Sequence, residues 1–482
     1  EKNLVMPSAS CVANLNPLLE GYKEAAMLNP IYDPLYVIDV NETRYYLADS
    51  YEVSEDGMQI TVKLKEGLKW HDGEAITADD MIFTMDVCSD TNNGAGGTNI
   101  VILNDQPVKY EKVDDLTVKV TLPMASASYA DLLGGLTLIP EHVFEGNPSV
   151  VSAGEANMKG IGSGPYKVTE FKQDEYLLLE KYEDYYMGAP SIDKVTFRII
   201  SDLSAQEVAL MNGEVNFMEL ANAPAVAKYE ADPNFTVVKY PEGRVNYLAV
   251  NKFCEAVQDP KVVEAVFAAL NRDEIIAGAY GDGMAESANS IFSNVNTFYD
   301  PSVEGYTQDV EKAKQLVKET GLDSKTLTLY FNSERVYMKE SAQIIQQQLK
   351  NVGINLEVIP LESAGFFEKV FGTDGDYEFY LNGYGAVGDP DQVVAGMYDG
   401  TWGVNLAVSD EVSQLWKDAR TVYTPEERAA IYKQIQIQTR DELTCYPIAY
   451  PNYVFVTTSN IKGADTIKRT PVFEDYTKLT ME

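Results

Sequence analysis

"LTLYFNSERVYMKESAQIIQQQLKNVGINLEVIPL", Leu327 to Leu361, decides the fold class. "LTLYFN" reads as a strand, "ERVYMKESAQIIQQQLKNVG" as a helix stopped by Gly353, and "INLEVIPL" as a second strand. A strand, a covering helix and a strand in that order make a β-α-β unit, which implies a parallel sheet flanked by helices. Just upstream, "DVEKAKQLVKETG" predicts a helix capped by Asp309, burying Ala313, Leu316 and Val317, and ending at Gly321.

The same α/β grammar extends outward. "GMQITVKLK" sets Ile60, Val62 and Leu64 on one strand face and Thr61, Lys63 and Lys65 on the other, after a turn at Gly57. "DPKVVEAVFAAL" opens with Asp259 as cap and Pro260 in the first helical position. "TPEERAAIYKQIQIQTRDEL" predicts the same device, with Glu427 returning to Thr424 as a capping box. There is no sequence repeat and no low-complexity linker.

At 482 residues and 45% hydrophobic content the chain is globular and too long for one ordinary core. A net charge of −36 argues against nucleic acid and against an anionic membrane surface, both of which need a basic footprint. No run of 18 apolar residues offers a membrane span. Cys11, Cys88, Cys254 and Cys445 lie far apart, which excludes a zinc ribbon and a disulfide-dense scaffold. They are read as buried free thiols, with one long-range bridge left open.

Catalytic motifs are scarce. In "WHDGEAITADD" (Trp70–Asp80), Asp72-Gly73 makes a turn, Thr77 has the form of a helix cap, and Asp80 can return to it. His71 is 71 residues from His142, the other histidine, so neither spacing nor number suggests a metal site, and none is expected. "GYGAVG" (Gly383–Gly388) spells a dinucleotide fingerprint after the strand "YEFYLN", but Pro390, Gly396 and Gly400 deny it the sustained helix that pyrophosphate needs. No cofactor is expected. P-loop, H-E-x-x-H and G-x-S-x-G patterns are absent, and Cys11 and Ser163 have no evident base. Carboxylate pairs are too numerous to diagnose a glycosidase, and sequence leaves that chemistry open.

Over nearly its whole length the chain resembles the family 5 extracellular solute-binding proteins, the receptor subunits of oligopeptide, dipeptide and nickel ABC importers. Blocks that carry the resemblance run in order: "LNPIYDPLYVID", "YEVSEDGMQITVKLKEGLKWHDGEAITADDMIF", "GSGPYKVTEF", "YYMGAPSIDKVTFRII", "MNGEVNF", "YLAVN", "VVEAVFAALNRDEII", "AKQLVKETGL", "QQQLKNVGINLEV" and "GYGAVGDPD". The resemblance implies an α/β, two-lobed periplasmic-binding-protein type 2 fold of the large cluster C type. It implies residues 1–43 and 161–245 in lobe 1, 44–160 as a subdomain inserted there, 246–450 as lobe 2, and 451–482 as the return to lobe 1. Two crossing strands would hinge the lobes, and Cys254 and Cys445 would lie beside them, leaving a hinge disulfide open.

The function implied is that of a receptor and not an enzyme: a monomer, periplasmic or lipid-anchored outside the cell, that closes over a peptide or other small solute and docks on permease subunits. The ligand-binding residues it suggests are Cys11, Asn246, Tyr247, Asn332, Ser363, Phe366, Tyr384, Asp389 and Trp402, with Asp389 also fitted to cap the helix at Pro390. Dipeptide-type members place an aspartate where Ala386 or Val387 stands, an arginine that maps near Asn332, and a Glu-Trp pair that maps to Glu362-Ser363. Without those charges a short zwitterion loses its anchors, each worth a few kcal/mol when desolvated. A longer peptide gripped by its backbone is expected, and a sugar stacked on Tyr384 and Trp402 is the alternative.

Overall fold

The computed structural model describes residues 1–21, 25–39, 42–399, 406–466 and 473–482. The chain divides into two compact units, Glu1–Tyr240 with Val454–Glu482, and Pro241–Tyr453. It therefore leaves the first unit after Tyr240 and re-enters it at Val454.

The first unit holds β1 (Asn3–Ser8), β2 (Ala48–Val53), β3 (Gln59–Leu64), α1 (Ala78–Ser89), β4 (Lys109–Asp114), β5 (Thr117–Thr121), β6 (Tyr166–Lys172), β7 (Tyr176–Lys181) and β8 (Lys194–Ile199). They build two four-stranded sheets, β1-β8-β7-β6 and β2-β3-β5-β4. Alternation in β3 buries Ile60, Val62 and Leu64 in a core that also encloses Trp70, Met81 and Met85. The cap of α1 forms as its residues predict. Thr77 accepts from the Asp79 amide, while Asp80 Oδ2 accepts from the Thr77 amide at 2.9 Å.

His71 is a pin between loops. Its Nδ1 accepts from the Gly162 amide (3.1 Å), and its Nε2 faces the Gly164 carbonyl (2.9 Å), which fixes the neutral Nε2–H tautomer. Burial pushes its pKa down to about 4, so it is uncharged at neutral pH and both nitrogens are engaged. Asp33 is buried as well, accepting from the hydroxyls of Tyr185 (2.7 Å) and Tyr186 (2.6 Å), and burial raises its pKa to about 7. Ser163 accepts from the Asp33 amide at 3.1 Å, which gives that serine a structural use.

The second unit holds β9 (Arg244–Val250), α2 (Pro260–Ala269), a π-helical turn (Ile276–Tyr280), β10 (Ala285–Ser287), α3 (Val310–Thr320), β11 (Thr326–Asn332), α4 (Met338–Asn351), β12 (Asn355–Leu361), α5 (Ser363–Phe371), β13 (Phe379–Gly385), α6 (Asp410–Ala419) and α7 (Pro425–Asp441). The last strand, β14 (Cys445–Thr458), begins in this unit and ends in the first. Its sheet runs β14-β9-β13-β11-β12. β12 and β13 are both parallel to β11, while β9 is antiparallel to β13 and to β14. The β-α-β unit is therefore present. Leu327, Leu329 and Phe331 are buried on β11, and α4 buries Met338, Ala342, Ile345 and Leu349, a helical stripe.

Two local expectations change, and the free-thiol reading of the cysteines does not. The helix expected from Glu334 starts at Met338, because Tyr337 takes a left-handed φ of 71° and Asn332 Oδ1 accepts from the Glu334 amide, making Ser333–Tyr337 a loop. The Thr424 box does not form: the Thr424 hydroxyl donates to the Glu427 carboxylate itself, leaving no side-chain cap on the backbone. The cysteines are all free thiols, with Cys254 Sγ beside Glu378 (3.8 Å) and Cys445 Sγ beside the Tyr398 hydroxyl (3.4 Å). Gly321 does end α3, at φ 68°, a conformation costly for any residue with a Cβ.

Candidate functional site

Parallel β11, β12 and β13 bring their carboxyl ends, Asn332, Leu361 and Gly385, to one edge of the second unit's sheet. That is the edge where open α/β sheets take their ligands. Antiparallel β9 delivers its first residue there too, since Arg244 pairs with Gly385 and Asn246 with Gly383.

Residues two apart on a strand share a face. Arg244 and Asn246 therefore rise on one side of the sheet, and Val245 and Tyr247 on the other. Gly383 makes room for the first pair. A Cβ there would lie 2.1 Å from Asn246 Oδ1 and 3.1 Å from Arg244 Nη2, an approach only glycine permits. Asn246 Nδ2 donates to the Tyr280 hydroxyl at 2.7 Å. The Tyr280 ring packs 4.3 Å from that of Tyr337, centroid to centroid, at 30°.

Three backbone irregularities meet at this cluster. The π turn ends on Tyr280, Tyr337 is left-handed without being glycine, and the β9–β14 register shifts between Asn246 and Tyr247. Each device costs regularity, and each is characteristic of functional sites. Beside them, Asn332 Nδ2 donates to Ser363 Oγ (3.0 Å), and the Ser363 hydroxyl donates to Glu334 Oε2 (2.7 Å). This ties the β11–α4 loop to the start of α5.

The residues suggested by sequence fall in different places. Asn246, Asn332 and Ser363 come to this edge, although Asn246 and Asn332 are themselves buried, with their amides bonded to Tyr280 and Ser363. Tyr247 and Phe366 have no exposed surface and Tyr384 has 8%; all three belong to the core that contains Trp416 and Tyr432. Strand alternation is the reason: Tyr384 pairs with Val245, on the face opposite Asn246. Its hydroxyl donates to the Ile291 carbonyl (2.5 Å) and its ring lies 5.2 Å from that of Tyr247, so it is a core tyrosine rather than an open aromatic face. Of the two residues expected at the position of the dipeptide-type acid, Ala386 is fully buried and Val387 half-buried.

Asp389 caps the short helix Pro390–Val393 and holds Arg428 in a buried two-pronged ion pair at 2.7 and 3.0 Å. Cys11 lies in the first unit, partly buried, and desolvation raises its thiol pKa. Trp402 lies outside the described residues. Among the described residues no group of three or more His, Cys, Asp or Glu side chains could hold a metal ion.

Arg244, Tyr280, Tyr337 and the half-buried Arg335 escaped the sequence reading. Arg244 had a signal: in "GRVNYLAVN" two polar residues spaced by two interrupt an apolar strand, a polar stripe facing away from the core. Tyr280 and Tyr337 had none, because their meeting depends on a π turn and a left-handed residue that no local pattern announces.

A family model described as bacterial extracellular solute-binding proteins, family 5 middle, matches residues 42–405. The dipeptide-binding protein of Escherichia coli is 27% identical over 96% of this chain and 92% of its own length. The oligopeptide-binding protein AppA of Bacillus subtilis is 29% identical over 86% of this chain and 80% of its own. A solved structure of that AppA, in complex with a nonapeptide, superposes with a TM-score of 0.72 at 25% identity over 100% of this chain and 99% of that one. The ABC transporter substrate-binding protein CtaP of Listeria monocytogenes superposes with a TM-score of 0.91 at 33% identity, covering all of both chains. Among the described residues no helix is long and apolar enough to cross a membrane.

Proposed function

Since this chain belongs to the bacterial extracellular solute-binding proteins of family 5, a family of receptors rather than enzymes, we propose that it is the oligopeptide receptor of an ABC importer. It binds its solute outside the cell, as a monomer held by the periplasm or by a lipid anchor, and presents it unchanged to the permease. The observation that carries the peptide assignment is the edge of the second unit's sheet. It joins exposed strand-end backbone at Gly385 to amides, hydroxyls and aromatic rings, and neither Ala386 nor Val387, one of which is expected at the position of the dipeptide-type acid, carries a charge. Such an edge suits a chain held along its backbone, because main-chain hydrogen bonds tolerate many side chains. The sugar alternative loses support, since the Tyr384 ring is enclosed by its neighbours.

Titration calorimetry with peptides of two to nine residues and with oligosaccharides tests this. The longer peptides should bind at about micromolar affinity or tighter, with dipeptides at least about tenfold weaker. A dipeptide as the tightest ligand, or binding confined to sugars, would overturn it.

A further inference from the structure

A helix on the surface of a folded unit normally turns a polar face to water. α3 and α4 do so, exposing Glu311, Lys314, Lys318, Lys339, Gln343 and Gln347. The helix Leu203–Met211, which follows β8 in the first unit, does not. It buries Gln206, Ala209 and Leu210, and leaves Leu203 52%, Val208 60% and Met211 55% exposed. We propose that this apolar face is a docking surface for the permease, the partner to which the receptor delivers its peptide. The inference deepens the proposed function and rests on it.

The helical repeat of 3.6 residues places Leu203, Met211 and Val208 within an arc of about 140°. Glu207, the charge inside that arc, is matched: its carboxylate accepts from Lys228 Nζ (2.5 Å) and from the Tyr229 hydroxyl (3.2 Å). At the helix ends Asp202 accepts from the Ala205 amide as a cap, and Glu214, just beyond Met211, pairs with Arg198 at 3.1 Å. The face is therefore apolar with its neighbouring charges balanced, in a chain of net charge −36. Charge separates the candidate occupants. A second copy carries the same −36 and an anionic lipid surface is negative too, so the field of the molecule opposes both. Area points the same way. Three half-exposed side chains supply a small part of the roughly 800 Å² that each partner of a stable complex buries. Such a patch suits a protein of lower negative charge that is met and released in every transport cycle. In an importer that protein is the permease, on its outward face.

The test is ATP hydrolysis by the permease with its ATPase subunits, reconstituted in nanodiscs and titrated with peptide-saturated receptor. Wild type should stimulate hydrolysis saturably. L203S/M211S and V208K should each raise the half-saturating receptor concentration by about tenfold, through the apolar contact they remove. Their peptide affinity, read by calorimetry, should stay within about twofold of wild type, which establishes that they are folded. V113S, which removes a valine 57% exposed on β4 of the same unit, should change neither quantity. Half-saturation unmoved by L203S/M211S, or moved equally by V113S, would overturn the assignment. So would a wild-type dimer in sedimentation velocity that L203S/M211S dissolves, which gives the face to a second copy. Binding of wild type but not of L203S/M211S to phosphatidylglycerol vesicles would overturn it in favour of a lipid surface. A wild-type receptor that binds peptide without ever stimulating hydrolysis, or that binds no peptide, would instead remove the proposed function, and the docking face with it.

Discussion

Replacing His71 by glutamine removes a proton-binding group while keeping one acceptor for the Gly162 amide and one donor for the Gly164 carbonyl. In the folded protein the imidazole pKa is about 4, against about 6.5 in an unfolded chain. Between those values the unfolded state binds more protons, so the histidine's contribution to stability is present above about pH 6.5 and is lost as pH falls toward 4. Linkage over this interval amounts to about 2 kcal/mol between pH 7 and pH 5. Asp33 works in the opposite sense, so the total wild-type curve hides the effect and the difference between proteins isolates it. Urea unfolding of wild type and H71Q at pH 7 and pH 5 should show H71Q gaining about 2 kcal/mol relative to wild type on acidification. Parallel stability at both pH values would refute the reasoning and free His71 for another role.

For Asp33 the folded pKa is raised to about 7, so its stabilisation is greatest at low pH and is lost as pH rises through 7. Between pH 5 and pH 8 D33N should gain about 2–3 kcal/mol relative to wild type, read by the same unfolding assay. Asp389→Asn leaves Arg428 buried without its counter-charge, and should cost about 3–5 kcal/mol in denaturant unfolding. T77A removes the side-chain cap of α1 and should cost about 1 kcal/mol, seen as a lower urea midpoint with unchanged slope.

The fold was legible wherever a local pattern had a local cause. The α1 cap, the alternation of β3, the Asp309 and Gly321 ends of α3 and the β11-α4-β12 unit each depend on residues a few positions apart. The family blocks extended that reading over the whole chain. The site was less legible because it is made by long-range register. Asn246 and Tyr247 are adjacent in sequence, yet the pleat sends one to the site edge and the other into the core. Tyr384 looked like an open platform in "GYGAVG", but its pairing with Val245 commits it inward, and the significant letter of that motif is Gly383, which leaves space for Arg244 and Asn246. Asp389 joined Arg428, an ion pair across 39 positions that sequence spacing does not reveal.

Native mass spectrometry of the purified protein mixed with a defined peptide pool addresses receptor function most directly. One peptide of more than two residues should be retained per chain and recovered, after acid release, at its original mass. Recovery of cleaved or otherwise altered peptide, or retention of none, would contradict the account.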